Sequence, residues 1–143
     1  VTSVVVDVSV AVKWCLPSLR EELVAQAEEL LASSRREEVQ FLVPDLFWVE
    51  LANALWKAVR RNEISSNNAA SAISFMRDLD IATVPSIDIV PQALDLAISH
   101  GRTVYDSLYV ALAMQSKSDL ITADERLANA LAARFPVKWL GAL

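Results

Sequence analysis

Five short, mostly apolar runs alternate with longer segments of helical spacing, and this alternation limits the fold more than any other feature of the chain. The runs cover residues 4–6, 40–43, 81–84, 120–122 and 137–139. They are continuous and rich in β-branched residues, as buried strands are. Helices are expected over 9–15, 20–33, 46–61, 68–79, 89–100, 103–117 and 125–133. Pro17 stops the first, Asp45 is placed to cap the third, Ser65-Ser66-Asn67 offers caps for the fourth, and Gly101 ends the fifth. Strands that alternate with helices imply an α/β fold with a mostly parallel sheet.

The 143 residues suit a single domain spanning 1–143, and a 54% hydrophobic content can fill its core. With 2 glycines and 5 prolines the chain is neither disordered nor loop-rich. No repeat, linker or low-complexity tract interrupts it, and the polar stretch 33–38 reads as a surface loop. No run approaches the ~18 apolar residues of a membrane span. The first apolar run lacks a basic flank and a small-residue cleavage site, so it reads as a strand. Cys15 is the only cysteine, which excludes an intramolecular disulfide, suits a reducing cytoplasm and marks Cys15 as a small buried hydrophobe. His100, the only histidine, precedes Gly101 at a helix end, so no His/Cys zinc set exists. A net charge of −5 counts against a nonspecific nucleic-acid binder, unless acids gathered at one cation inflate the negative count.

Four acids occupy positions that are awkward for folding. Asp7 ends the run Val4-Val5-Val6, and Asp124 follows Leu120-Ile121-Thr122-Ala123. Asp106 opens an apolar helix, and Glu50 sits inside one that is apolar almost all round. Carboxylates are rarely buried unless paired or bound to metal, so one shared divalent cation would compensate all four. Parallel sheets collect ligands beyond the carboxyl ends of their strands, where Asp7 and Asp124 fall. Simpler roles compete. Asp7 and Asp124 can cap helices, Thr103 with Asp106 resembles a capping box, and Thr122 with Glu125 resembles another. Glu50, Asn53 and Lys57 share one helical face, with Glu50 as a ligand steadied by Asn53, or as one half of a surface pair with Lys57. The hydroxyls of Ser9 and Thr122 are placed to support the acids, and Lys13 and Arg102 flank two acid motifs where they can meet phosphates. Trp48 and Trp56, eight apart on one helix, suit packing better than base stacking, and Trp14 and Trp139 suit the core.

In order, these segments resemble the motifs of the PIN-domain ribonucleases. Val5-Val6-Asp7-Val8-Ser9-Val10-Ala11-Val12-Lys13-Trp14 resembles their opening. Glu50-Leu51-Ala52-Asn53-Ala54-Leu55 is similar to the second motif, E-x-x-N-x-L. Tyr105-Asp106-Ser107-Leu108-Tyr109-Val110-Ala111-Leu112-Ala113 is similar to the third, and Leu120-Ile121-Thr122-Ala123-Asp124-Glu125-Arg126-Leu127 to the fourth. The resemblance runs over residues 4–139 and is strongest to the VapC toxins of bacteria and archaea. It implies a three-layer α/β/α sandwich with a mostly parallel central sheet. It implies Mg²⁺ or Mn²⁺ held by Asp7, Glu50, Asp106 and Asp124, and hydrolysis of RNA phosphodiesters with a metal-activated water as nucleophile. It also implies a homodimer and a VapB-like antitoxin that blocks the site. Several relatives carry a further acid two residues after the fourth motif's Asp. This chain has Arg126 there, a residue suited to RNA or to an antitoxin carboxylate.

The chemistry agrees with the residues. A phosphodiester repels a bare hydroxide, and a hard cation both lowers the pKa of water and neutralises phosphate charge. One histidine so placed excludes a Ser-His-Asp set, and no P-loop is present. A phosphoacceptor receiver domain would want an acid beside Asp7 and another after residues 81–84; neither is there. A haloacid-dehalogenase-type phosphatase wants D-x-D, but Asp7-Val8-Ser9 lacks the second Asp. The remaining alternative is a catalytically silent PIN-like interaction module, which the presence of all four acids disfavours.

Overall fold

The computed structural model describes residues 1–17 and 22–143. Among the described residues five strands form one parallel sheet: β1 (Thr2–Val6), β2 (Val39–Pro44), β3 (Ile81–Val84), β4 (Asp119–Thr122) and β5 (Val137–Trp139). Among the described residues there are seven α-helices: α1 (Val8–Cys15), α2 (Val24–Arg35), α3 (Leu46–Arg60), α4 (Ser66–Asp78), α5 (Val90–His100), α6 (Val104–Ser116) and α7 (Glu125–Leu131). The expected elements form, with ends shifted by a turn at most. The helix expected from Arg20 opens at positions outside the described residues and is observed from Val24.

The strand order is β3-β2-β1-β4-β5. The chain fills one side of β1 and then crosses to fill the other. The direction of winding therefore reverses between β1 and β4, and a crevice opens beyond their carboxyl ends. Val4, Val5 and Val6 are buried, as are Leu120 and Ile121 beside them, because a sheet covered by helices on both faces has no polar side. The result is a three-layer α/β/α sandwich.

Two helices matter most for the site. Helix α6 buries seven consecutive residues, Ser107 to Ala113, against β1, β2 and β4, with α5 laid over it. Burial all round is what its apolar composition demands. Helix α3, also apolar almost all round in sequence, is one-sided instead. Phe47, Leu51, Leu55 and Ala58 face the core, while Val49 is 67% and Trp56 51% exposed. Four inward positions at helical spacing satisfy the sheet, and the remaining apolar residues stay outside.

The caps also separate. Ser65 accepts from the Asn68 amide at 3.0 Å, and Gly101 takes φ +67° to end α5, as expected. Asp45 does not cap α3. It already has helical dihedrals, and its carboxylate accepts from the Ser86 hydroxyl beyond β3. His100 sets its ring edge-on against Phe135, with centroids 4.9 Å apart. Trp14 is core, its indole nitrogen bonded to the Ala27 carbonyl at 2.7 Å, and Trp48 donates to Thr83 at 3.0 Å.

Candidate active site

Asp7 leaves β1 in extended geometry and caps α1, accepting from the Ser9 amide at 3.1 Å; the Ser9 hydroxyl donates to the same carboxylate oxygen. The helix-cap role and a place in the crevice are therefore compatible. Ser9 Oγ accepts from the Ala123 amide at 2.8 Å and lies 3.3 Å from Thr122 Oγ1. Thr122, fully buried, accepts from the Asp124 amide at 3.0 Å. Both expected hydroxyls thus tie the end of β1 to the end of β4.

Glu50 reaches the same crevice from α3, and Asp106 reaches it from the first turn of α6. Thr103 caps α6 through the Asp106 amide at 3.1 Å, which leaves the Asp106 carboxylate accepting no hydrogen bond among the described residues. A cleft of about 150 Å³ is lined by Asp7, Ser9, Glu50, Asp106 and Tyr109, with Val8 and Leu127 beside them. Tyr109 donates to Glu50 Oε1 at 2.5 Å.

The electrostatics match this crowding. Burial pushes the Asp7 carboxyl up to about 6, against the pull of its hydrogen bonds with Ser9, Thr122 and the Val10 amide. Burial also raises Glu50; the Tyr109 hydrogen bond opposes this, and repulsion from Asp106 adds to it. Tyr109 is held well above the usual phenol range by burial, then by its bond to Glu50, then by the charges of Glu50, Asp7 and Asp106. The phenol therefore stays protonated and remains a donor. No lysine or arginine among the described residues forms an ion pair with Asp7, Glu50 or Asp106.

Asp124 stands apart. Its carboxylate accepts from the Arg126 and Leu127 amides at 3.0 and 3.2 Å, capping α7. It lines a neighbouring groove with Glu22, Glu125, Arg126 and Trp139. Three of the four acids share the cleft, and the fourth borders it through Leu127 and Thr122.

The remaining expectations divide. Arg126 is exposed in the groove beside Asp124. Arg102 is half-buried, in a small hollow that Asp106 also lines, and its Nε is enclosed without a partner among the described residues. Lys13 cannot meet a phosphate as placed. It is 8% exposed, and its ammonium donates inward to the Glu22 carbonyl. Asn53 is exposed and makes no hydrogen bond among the described residues, so it does not steady Glu50. Tyr109 takes that role and was not among the expected site residues. The available signal was a phenol three residues after Asp106 on an otherwise apolar helix, hence on the same face.

No three carboxylate, imidazole or thiol groups among the described residues stand ready to enclose an ion directly. Glu50 is held by Tyr109 and Asp124 by α7. The donor set still fits a hard divalent cation: carboxylate oxygens, no soft ligand, and a cleft of about 150 Å³ with room for water between ion and protein. Mg²⁺ characteristically keeps several of its waters in this way.

The PIN domain family profile matches residues 4–131. Ribonuclease VapC3 of Pyrobaculum aerophilum is 36% identical over 129 residues, covering 87% of this chain and 92% of that protein. The crystal structure of PAE2754 from Pyrobaculum aerophilum superposes with a TM-score of 0.69 at 21% identity, covering 99% of this chain and 85% of that one. VapBC2 from Rickettsia felis, crystallised with a DNA fragment from its promoter, superposes with a TM-score of 0.65 at 10% identity, covering 96% and 98%.

Proposed function

Because the chain belongs to the PIN-domain family, we propose that it is a metal-dependent endoribonuclease that hydrolyses RNA phosphodiester bonds, the toxin of a VapBC-type toxin–antitoxin pair. One observation carries this reading: Asp7, Glu50 and Asp106, from three separate elements, line one cleft beside the β1/β4 switch point, and among the described residues no cationic side chain is paired to them. Half-buried carboxylates gathered in one cleft repel one another, as Asp106 does Glu50, and a divalent cation is the simplest compensation.

Asp7, Glu50 and Asp106 are the residues to hold Mg²⁺ or Mn²⁺, with Asp124 contributing from the adjoining groove. Bound there, the ion supplies Lewis-acid polarisation of the scissile phosphate and of water. Ser9 fixes the orientation of Asp7 by donating to one of its oxygens, and Thr122 anchors the Asp124 backbone. Arg126 and Arg102 flank the acids on two sides and suit the phosphates on either side of the cut bond. RNA cleavage should require added Mg²⁺ or Mn²⁺ and stop in excess chelator. Full cleavage with the metal removed would falsify the mechanism.

The chain's partners in this reading are RNA, a VapB-like antitoxin and a second copy of itself, and RNA as substrate places its action in the cytoplasm. One relative is named ribonuclease VapC3, and one structural neighbour is a VapBC pair. The outer face of α3 suits association, since Val49 and Trp56 lie exposed there, with the Arg60 guanidinium 5.0 Å from the Trp56 ring. A second apolar stripe, Val90, Leu94 and Ile98, lies exposed along α5. Light scattering at tens of micromolar (an order-of-magnitude choice for a weak dimer) should give twice the chain mass, and charged substitutions at Val49 and Trp56 should halve it. A monomeric wild type removes the dimer from the reading.

A further inference from the structure

We propose that Tyr109 is a positioning residue for the metal site: its phenol fixes one oxygen of Glu50 and leaves the other to face the cation. The proposal rests on the metal-ion reading above and deepens it.

The two residues are 59 apart in sequence, and their hydrogen bond joins α3 to α6 across the cleft. They differ in freedom. Tyr109 is 5% exposed, on the stretch of α6 most enclosed by the core, so packing sets the place of its hydroxyl. Glu50 is half-buried and has three rotatable bonds, with Asp106 repelling it. Left alone, such a carboxylate turns toward water and away from the other two acids. A neutral donor on the buried side opposes that turn without adding charge, whereas a lysine or arginine there would compete with a cation for the same oxygens. Tyr109 and Asp106 are three residues apart on α6, so one helix face carries both a ligand and the group that holds another ligand in place. Outer hydrogen-bond partners of this kind commonly account for about 10–100-fold in metal affinity.

The test is a double-mutant cycle on Mn²⁺ binding, read by titration calorimetry on wild type, Tyr109→Phe, Glu50→Gln and the double variant. Phe keeps the buried ring, and melting in chelator checks that each variant folds. Tyr109→Phe should weaken Mn²⁺ binding about 10-fold, while melting in chelator stays close to wild type. In the Glu50→Gln background the same change should have little further effect, because the phenol acts through Glu50. A purely structural tyrosine would weaken binding equally in both backgrounds, and that result overturns the proposal. Unchanged or tighter binding by Tyr109→Phe also overturns it while leaving the metal site standing. A wild type that binds no Mn²⁺ overturns the metal-ion reading and this proposal together.

Discussion

Asp106→Asn should reduce RNA cleavage by a factor on the order of 10²–10³ while leaving the protein folded, as removing one preorganised electrostatic group from a phosphate- or oxyanion-stabilising site commonly does. The other acids have competing duties. Asp7 takes two bonds from Ser9, Glu50 takes one from Tyr109, and Asp124 takes two from α7 amides. The Asp106 carboxylate takes none among the described residues, and its helix is capped by Thr103 through the backbone. Its charge is therefore uncommitted to folding, and Asn keeps its shape. The measurement is single-turnover cleavage in saturating Mn²⁺, with melting of the same samples. Retention of more than a tenth of wild-type activity would remove Asp106 from the site.

Asp7→Asn should do the opposite to stability: the metal-free variant should melt well above wild type at neutral pH. Burial lifts the Asp7 carboxyl from 3.8 to about 6 in the folded protein. The native state thus holds this proton more tightly than the unfolded chain does. Stability falls as pH rises from about 4 to about 6, and the full cost is present above that window. Two pKa units correspond to a ceiling of ~3 kcal/mol, lowered to the extent that water enters the cleft. For a chain of this size each kcal/mol moves the melting point by about 2–4 °C. The gain should therefore approach ~6–12 °C at pH 7.5 and vanish near pH 4. Asn caps helices about as well as Asp, so α1 should keep its cap. Saturating Mg²⁺ should narrow the gap, because binding stabilises wild type more than a variant that lacks a ligand. Asp124→Asn is the control. Asp124 lies outside the cleft and caps α7, so its replacement should leave melting near wild type. An Asp7→Asn protein that melts below wild type in chelator at pH 7.5 would mean that the buried charge is already compensated.

Much of this architecture is legible in local spacing. A continuous β-branched run such as Val4-Val5-Val6 favours a covered strand, and Gly101 after a helical stretch favours a helix end, because β-branching and backbone freedom are properties of a few neighbouring residues. The acids were legible because each is misplaced for its own segment: Asp7 at the end of a buried strand, Glu50 inside an apolar helix. Tertiary structure decided which acids share a cleft. It turned Asp124 onto the α7 amides, turned Lys13 inward to the Glu22 carbonyl, left Asn53 in solvent and set Tyr109 against Glu50. It also decided that α3 buries one stripe and exposes Val49 and Trp56. Local spacing gives a side chain's position on its own element, but its hydrogen-bond partner can lie 59 residues away on an element that only the folded sheet brings near. The acids stand out as candidates within their own segments and Tyr109 can be placed on the Asp106 face of α6, but its pairing with Glu50 exists only in the folded sheet.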